Sequence, residues 1–121
     1  MGGKHTMKLT LLSWVLALIF LLSGGAKLAG LEFEIAAFER WGYPWWFMYL
    51  TGVIEVVGGV GLLLRRLAAL ASVGLAAVMV GAIATHLIHA EWGMLVVATV
   101  IFAAAVLRGW FGRSEIVSLL R

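Results

Sequence analysis

The sequence predicts an all-α integral membrane protein, a four-helix bundle with both ends of the chain on the cytoplasmic side. Three observations carry that prediction. Hydrophobic residues make up 64% of the 121 residues and charged ones only 12%, and the mean hydropathy of +1.08 lies well above that of a soluble globular domain. The apolar residues gather into four runs, at about 9–28, 45–64, 67–88 and 93–110, each about long enough to cross a hydrocarbon core of roughly 30 Å as a helix. Basic residues close these runs on alternate sides. Lys4, Lys8, Arg65, Arg66, Arg108, Arg113 and Arg121 fall on one side against Lys27 and Arg40 on the other, so the larger set belongs in the cytoplasm. With so little chain outside the runs, residues 1–121 read as a single transmembrane domain of the inner membrane.

The first run, Leu9–Ala26, follows Lys4 and Lys8 and ends in Ser23-Gly24-Gly25-Ala26. That order imitates a secretory signal peptide, but three further spans follow, so it reads as a retained helix. Lys27 closes it, with Ser23 and Gly24 one turn below on its own face. A lysine at a helix end ordinarily snorkels to the surface, and that is its expected position. The alternative bends the ammonium inward along the gap at Gly24. Residues 29–44 are too polar to span, with Glu32, Glu34, Glu39 and Arg40, yet Leu31, Ile35 and Phe38 recur at helical spacing. A short interfacial helix fits. Trp41-Gly42-Tyr43-Pro44-Trp45-Trp46 then turns the chain into the second run, its aromatics suited to the headgroup level.

The second run carries Glu55 ten residues from Trp45 and nine from Leu64, so at about 1.5 Å per residue it lies near the bilayer midplane. A carboxylate there is costly unless it is paired, neutralised or facing a wet cavity, which makes it a functional candidate. Thr51 and Gly52 one turn before it, and Gly58 and Gly59 one turn after, give a small polar face on which a helix or a ligand can come close. Arg65-Arg66 makes a tight basic turn into the third run, where Ala77, Gly81 and Thr85, and Ala82 and His86, form small stripes suited to close packing. His86 and His89 end that run, followed by Glu91 and Trp92. The fourth run holds Thr99 as its one polar residue before Arg108.

Lys27, Glu55 and His86, from three helices, are the candidate catalytic residues, expected to converge on an outward-opening cavity. Lys27 and Glu55 stand roughly two helical turns apart in depth, and their side chains or a water must close that gap. A protonated Glu55 suits donation to a carbonyl or quinone oxygen, an ionised one suits a base or a proton-relay stop. Ser23, Gly24, Thr51, Gly52 and Gly59 are the candidate ligand-contacting positions. No metal site is expected, since His86, His89 and Glu91 offer a partial set only. The chain has no cysteine, which removes thiol chemistry, and no aspartate, which removes a Ser/His/Asp set. The charge of +3 forms no basic patch with interleaved aromatics, so nucleic acid is not an expected partner.

Phe20-Leu21-Leu22-Ser23-Gly24-Gly25-Ala26-Lys27-Leu28, Trp41-Gly42-Tyr43-Pro44, Leu50-Thr51-Gly52-Val53-Ile54-Glu55, Gly59 through Leu64, and His86-Leu87 stand in the order and spacing of a known pattern. From about Leu12 to Val106 the chain resembles the DoxX-like family of small four-helix membrane proteins. The resemblance implies that fold and, for some relatives, an association with quinone-linked oxidation of sulfur compounds or with larger membrane oxidoreductase complexes. Lys27, Glu55 and His86 match the pattern.

Three classes of function stay open. The leading one is a quinone- or lipid-binding subunit of a membrane redox or stress-related complex, with a partner oxidoreductase subunit. The second is a stand-alone acid–base enzyme of isomerase or cyclase type, using Glu55 and His86 on an apolar substrate. The third is a small transporter or assembly factor without chemistry. Membrane lipid is a partner in every case, and four such helices enclose so little volume that a homo-oligomer through the Gly/Ala stripes is expected.

Overall fold

A computed structural model describes the backbone of residues 3–121 and the side chains from Thr6 onward. Lys4, which contributes to the charge count above, lies outside the described side chains. Six helices follow one another: α1 Gly3–Leu28, α2 Glu32–Trp41, α3 Trp45–Leu63, α4 Ala68–Ile88, α5 Trp92–Phe111 and α6 Arg113–Leu119. Four are long and apolar enough to cross a membrane: Thr6–Leu28 of α1, and α3, α4 and α5. The described residues hold no strand. The two additions to the expected four are short. α2 is the connector helix, and α6 was not expected from the basic tail.

The three turns at one end of the bundle share a closure. After α1, Gly30 at φ +63° lets its own N–H reach Lys27 O and that of Leu31 reach Ala26 O. After α2, Gly42 at φ +80° does the same with Glu39 O and Phe38 O. Both are Schellman ends, which need a left-handed residue and satisfy carbonyls the helix leaves orphaned. The third, after α4, uses Ala90 at φ 56°, with Ala90 N–H on Leu87 O and Glu91 N–H on His86 O. No glycine marks it. Pro44 stands at the N-cap of α3 in extended conformation, the backbone that proline prefers just before a helix.

Helix α1 packs along α3, and α4 along α5, with α3 joining the two pairs. Leu16, Ala17 and Phe20 of α1, Leu62 of α3, Leu75 and Met79 of α4 and Ala98 of α5 form the buried core. Large apolar side chains such as Trp14, Leu18, Leu22, Val57, Val80, Val96 and Val100 point outward, as lipid-facing positions do when the solvent is hydrocarbon. Trp45 and Trp46 are exposed at the α3 start, where an interfacial belt belongs.

Close contact between α1 and α3 rests on glycine. A Cβ added to Gly24 would lie 2.7 Å from Gly52 O, and one added to Gly52 would lie 2.9 Å from Lys27 Cβ. Gly59 meets Leu21 at 2.9 Å in the same sense, and Gly58 meets Leu75 at 2.7 Å. The expected Ala77/Gly81 stripe of α4 is different. Both residues are exposed and a Cβ on Gly81 meets nothing within 4 Å, so within the chain only Thr85 and His86 at its end are buried.

At the other end, α6 is held by one acidic residue. Glu115 takes Arg108 Nη2 on both oxygens, at 3.1 and 3.0 Å, and the N–H of Ala69 at the start of α4. Arg108 also donates from Nε to Ser13 Oγ of α1. Arg108 is therefore a buried cross-link among α1, α5 and α6, at 3% exposure, rather than a solvated topology marker.

Gly24→Ala should lower the thermal midpoint in detergent by the equivalent of about 1–3 kcal/mol through overpacking against the Gly52 backbone. Gly81→Ala, with open space at its Cβ, should leave the midpoint unchanged or raise it slightly. Equal effects would remove the glycine crossing from the account of α1–α3 packing.

Candidate functional site

The first cluster lies where α1 and α3 touch. Lys27 Nζ stands 2.9 Å from Glu55 Oε1 and donates to Ser23 Oγ at 2.8 Å, while Ser23 Oγ donates to Glu55 Oε1 at 3.0 Å. Glu34 of α2 brings a second carboxylate, Oε2, to 3.6 Å from the same ammonium. Lys27, Glu34 and Glu55 are each at or below 9% exposure. Lys27 thus bends inward instead of snorkelling. The reason is backbone direction: helical Cβ atoms tilt toward their own N-terminus, and α1 and α3 run antiparallel. Lys27 therefore leans down into the bundle and Glu55 leans up, which closes the two-turn difference in depth.

Two carboxylates share one ammonium here. Burial raises the Glu34 carboxyl above its usual range, with Glu55 adding to that effect and Lys27 opposing it. Glu34, on α2, is the acid at the edge of the site.

The second cluster gathers on Glu91, in the turn between α4 and α5. Arg40 donates to its Oε2 from Nε at 3.1 Å and Nη2 at 2.9 Å, Trp41 Nε1 donates to Oε1 at 3.0 Å, and His86 Nδ1 lies 2.8 Å from Oε1. The Trp41 and His86 rings meet edge-on with centroids 5.6 Å apart. The hydrogen bond to His86, more than those to Arg40 and Trp41, holds the Glu91 carboxyl below its usual range against the opposing effect of burial. Beside it, Tyr43 OH and Thr85 Oγ1 share a bond of 2.7 Å.

The two clusters are joined by α2. Glu34 and Phe38, one turn apart, are its buried residues, and the Phe38 ring packs at tilted or edge-on angles against Trp41, Tyr43 and Phe47. The expected meeting of Lys27, Glu55 and His86 is therefore divided. Lys27 and Glu55 are in contact, whereas His86 is buried with Glu91 and Trp41, and His89 Nδ1 is taken by Thr85 O. Among the candidate ligand-contacting positions, Ser23 belongs to the first cluster. Gly24, Gly52 and Gly59 are spent on helix packing, and Thr51 Oγ1 donates to Phe47 O of its own helix. Glu34, expected only as one of the acids that make residues 29–44 too polar to span, is the buried site residue that sequence reasoning missed. The signal for it was the i, i+1, i+4 set Glu34, Ile35, Phe38, the buried stripe of α2 with an acid inside it.

The model of the DoxX-like family matches residues 11–108. The chain belongs to the DoxX-like family. It is also 30% identical over 82 residues to the uncharacterized protein YdgD of Bacillus subtilis (strain 168), a match covering 64% of this chain and 72% of that protein. No solved structure matches. The matched residues of the family model include both clusters and the whole of α2 through α4.

The two acids should give opposite pH slopes. Glu34, raised, binds more protons folded than unfolded, so its contribution to stability is fully present below about pH 4.5 and is lost as pH rises through its folded pKa. Glu91, lowered, contributes above about pH 4.5 and loses that contribution as pH falls through its folded pKa. Thermal midpoints from pH 3 to 8 should show Glu34→Gln gaining on the wild type as pH rises above about 4.5, and Glu91→Gln losing ground as pH rises towards about 4.5 and no further above it. Parallel curves for Glu34→Gln and wild type would mean that Glu34 titrates normally.

Proposed function

We infer that this DoxX-like protein is a small multi-pass subunit that binds an apolar ligand carrying carbonyl or hydroxyl oxygens, a quinone by class, at Lys27, Glu34 and Glu55, and serves a membrane redox or stress-related complex. The observation that carries this reading is one buried ammonium shared by carboxylates from two different elements, α2 and α3. The donor set fits such a ligand: the ammonium, and the Glu34 carboxyl whenever it is protonated, can each hydrogen-bond to a carbonyl oxygen, while Ser23 holds the ammonium against Glu55. A quinone would supply a two-electron carrier, with electrons from a partner oxidoreductase subunit, since the chain has no cysteine.

The chain's own residues have separate tasks in this reading. Lys27 fixes the ligand oxygen, Ser23 and Glu55 orient the ammonium, and Glu34 gives and regains a proton. Access comes from the α2 side. The α1–α3 crossing is closed by Gly24 and Gly52, whereas α2 lies over the site between two turns, at Gly30 and Gly42, whose glycines hold positive φ. The acid–base enzyme reading has less support, because it needs His86 beside Glu55 and His86 is engaged with Glu91. The basic residues Arg65, Arg66 and Arg113 cluster at the end that holds α6, which supports placing that end in the cytoplasm and the protein in the inner membrane. The outward Ala77/Gly81 face of α4 is where we would seat a second copy.

The test is mass spectrometry of small molecules and proteins that co-purify in mild detergent with the wild type and with Glu55→Gln. Removing the partner of a buried charge should cut retained quinone by at least about tenfold while the protein stays folded. Two folded preparations equally free of ligand would overturn the reading and leave a buried network that only fixes helix register.

A further inference from the structure

The end of the bundle away from Lys27 carries a second polar site. A cleft of about 180 Å³ opens among the first turns of α1, the turn between α3 and α4, and α6, lined by Thr6, by Thr10, whose hydroxyl donates to Thr6 O, by Ser114, by the cations Arg65 and Arg108, and by Glu115. A neighbouring cleft of about 280 Å³ shares Arg65, Ser114 and Glu115 and adds Arg66 and Ser118. Arg108 is 3% exposed, yet its Nη1 is buried and, among the described residues, has no hydrogen-bond partner. Glu115 compensates one guanidinium through Nη2. Among the described residues Arg65 and Arg66 form no ion pair, so the double cleft holds more positive than negative charge. Leu9 and Phe111 add an apolar wall.

We propose that this double cleft binds the phosphate oxyanion of an anionic phospholipid headgroup. Guanidinium and hydroxyl donors are the groups that recognise phosphate oxygens, and an unused N–H on a buried arginine is a donor lacking its acceptor. A lipid is favoured over soluble phosphate because the apolar wall gives the glycerol and first methylenes a surface, and because exposed Trp110 and Leu107 on α5 place this end beside the headgroup layer. Gly112 belongs to the site: a Cβ there would collide with Arg108 Nη1. The site is separate from the Lys27 cluster and does not depend on its role.

The protein in mild detergent is titrated with phosphatidylglycerol, phosphatidylcholine or inorganic phosphate, and bound lipid is counted by native mass spectrometry. The expected result is one tightly held phosphatidylglycerol, preferred over phosphatidylcholine, and about tenfold weaker binding in Arg65→Gln/Arg66→Gln, both exposed cations whose loss spares the Arg108 cross-link. Lys8→Gln/Arg121→Gln removes two other exposed cations and should leave the affinity unchanged. An equal loss in that control overturns the site in favour of diffuse surface charge, and so does equal binding of the two lipids. Displacement of phosphatidylglycerol by equimolar inorganic phosphate overturns the lipid as occupant and leaves soluble phosphate as the ligand of the same groups.

Discussion

The Lys27–Glu55 contact is the constraint on which the rest of the membrane end depends. An ammonium and a carboxylate inside a bilayer are tolerated when each sees the other at hydrogen-bonding distance and neither is left with bare hydrogen-bonding groups. Here that distance is 2.9 Å, with Ser23 bonded to both. It is available because Gly24 and Gly52 remove two side chains from the crossing of α1 and α3. The glycines and the charges therefore form one device. Bulk at either glycine separates the helices, and separated helices leave two charges stranded in hydrocarbon.

Glu34 changes the character of that device. A lone Lys27–Glu55 pair would be neutral and closed, a structural bond that membrane bundles use readily. A second acid on the same ammonium leaves either a buried negative charge or a bound proton, and burial favours the proton. Because Glu34 sits on α2, outside the spanning helices, the protonation of the site and the position of α2 are linked quantities. The same helix is tied at its far end through Arg40 and Trp41, which both donate to Glu91, a carboxyl held below its usual range. A helix of ten residues is thus held by one acid that gains from protonation and another that gains from ionisation.

Much of this was legible in the sequence. The four spans follow from apolar runs and hydropathy, and Glu55 follows from its depth, since a carboxylate mid-span must have a purpose. Lys27 was harder, because a lysine at a helix end satisfies two positions equally well, and only the antiparallel run of α1 against α3 decides which. Glu34 was hidden by its neighbours: Glu32 and Glu39 make the segment look solvated, and one buried acid among three does not alter that composition. The His86 placement required a tertiary fact, that the α4–α5 turn folds back on Ala90, a non-glycine at positive φ with no turn signature. Arg108 and Glu115 fell outside the reading because a terminal basic residue explains itself through topology, which leaves no residue demanding a partner.

The two ends of the molecule answer the same physical problem in different ways. At the α2 end the buried cation is a lysine, compact and shared by two acids. At the α6 end it is an arginine, always charged, whose planar fork spans Ser13 and Glu115 and still leaves one nitrogen without an acceptor. The first arrangement couples α2 to the crossing of α1 and α3. The second suits a fixed anchor, since a guanidinium keeps its charge at any physiological pH and holds α1, α5 and α6 in one register. A bundle with a shared ammonium at one membrane face and a forked guanidinium cross-link at the other has two chemically distinct ends.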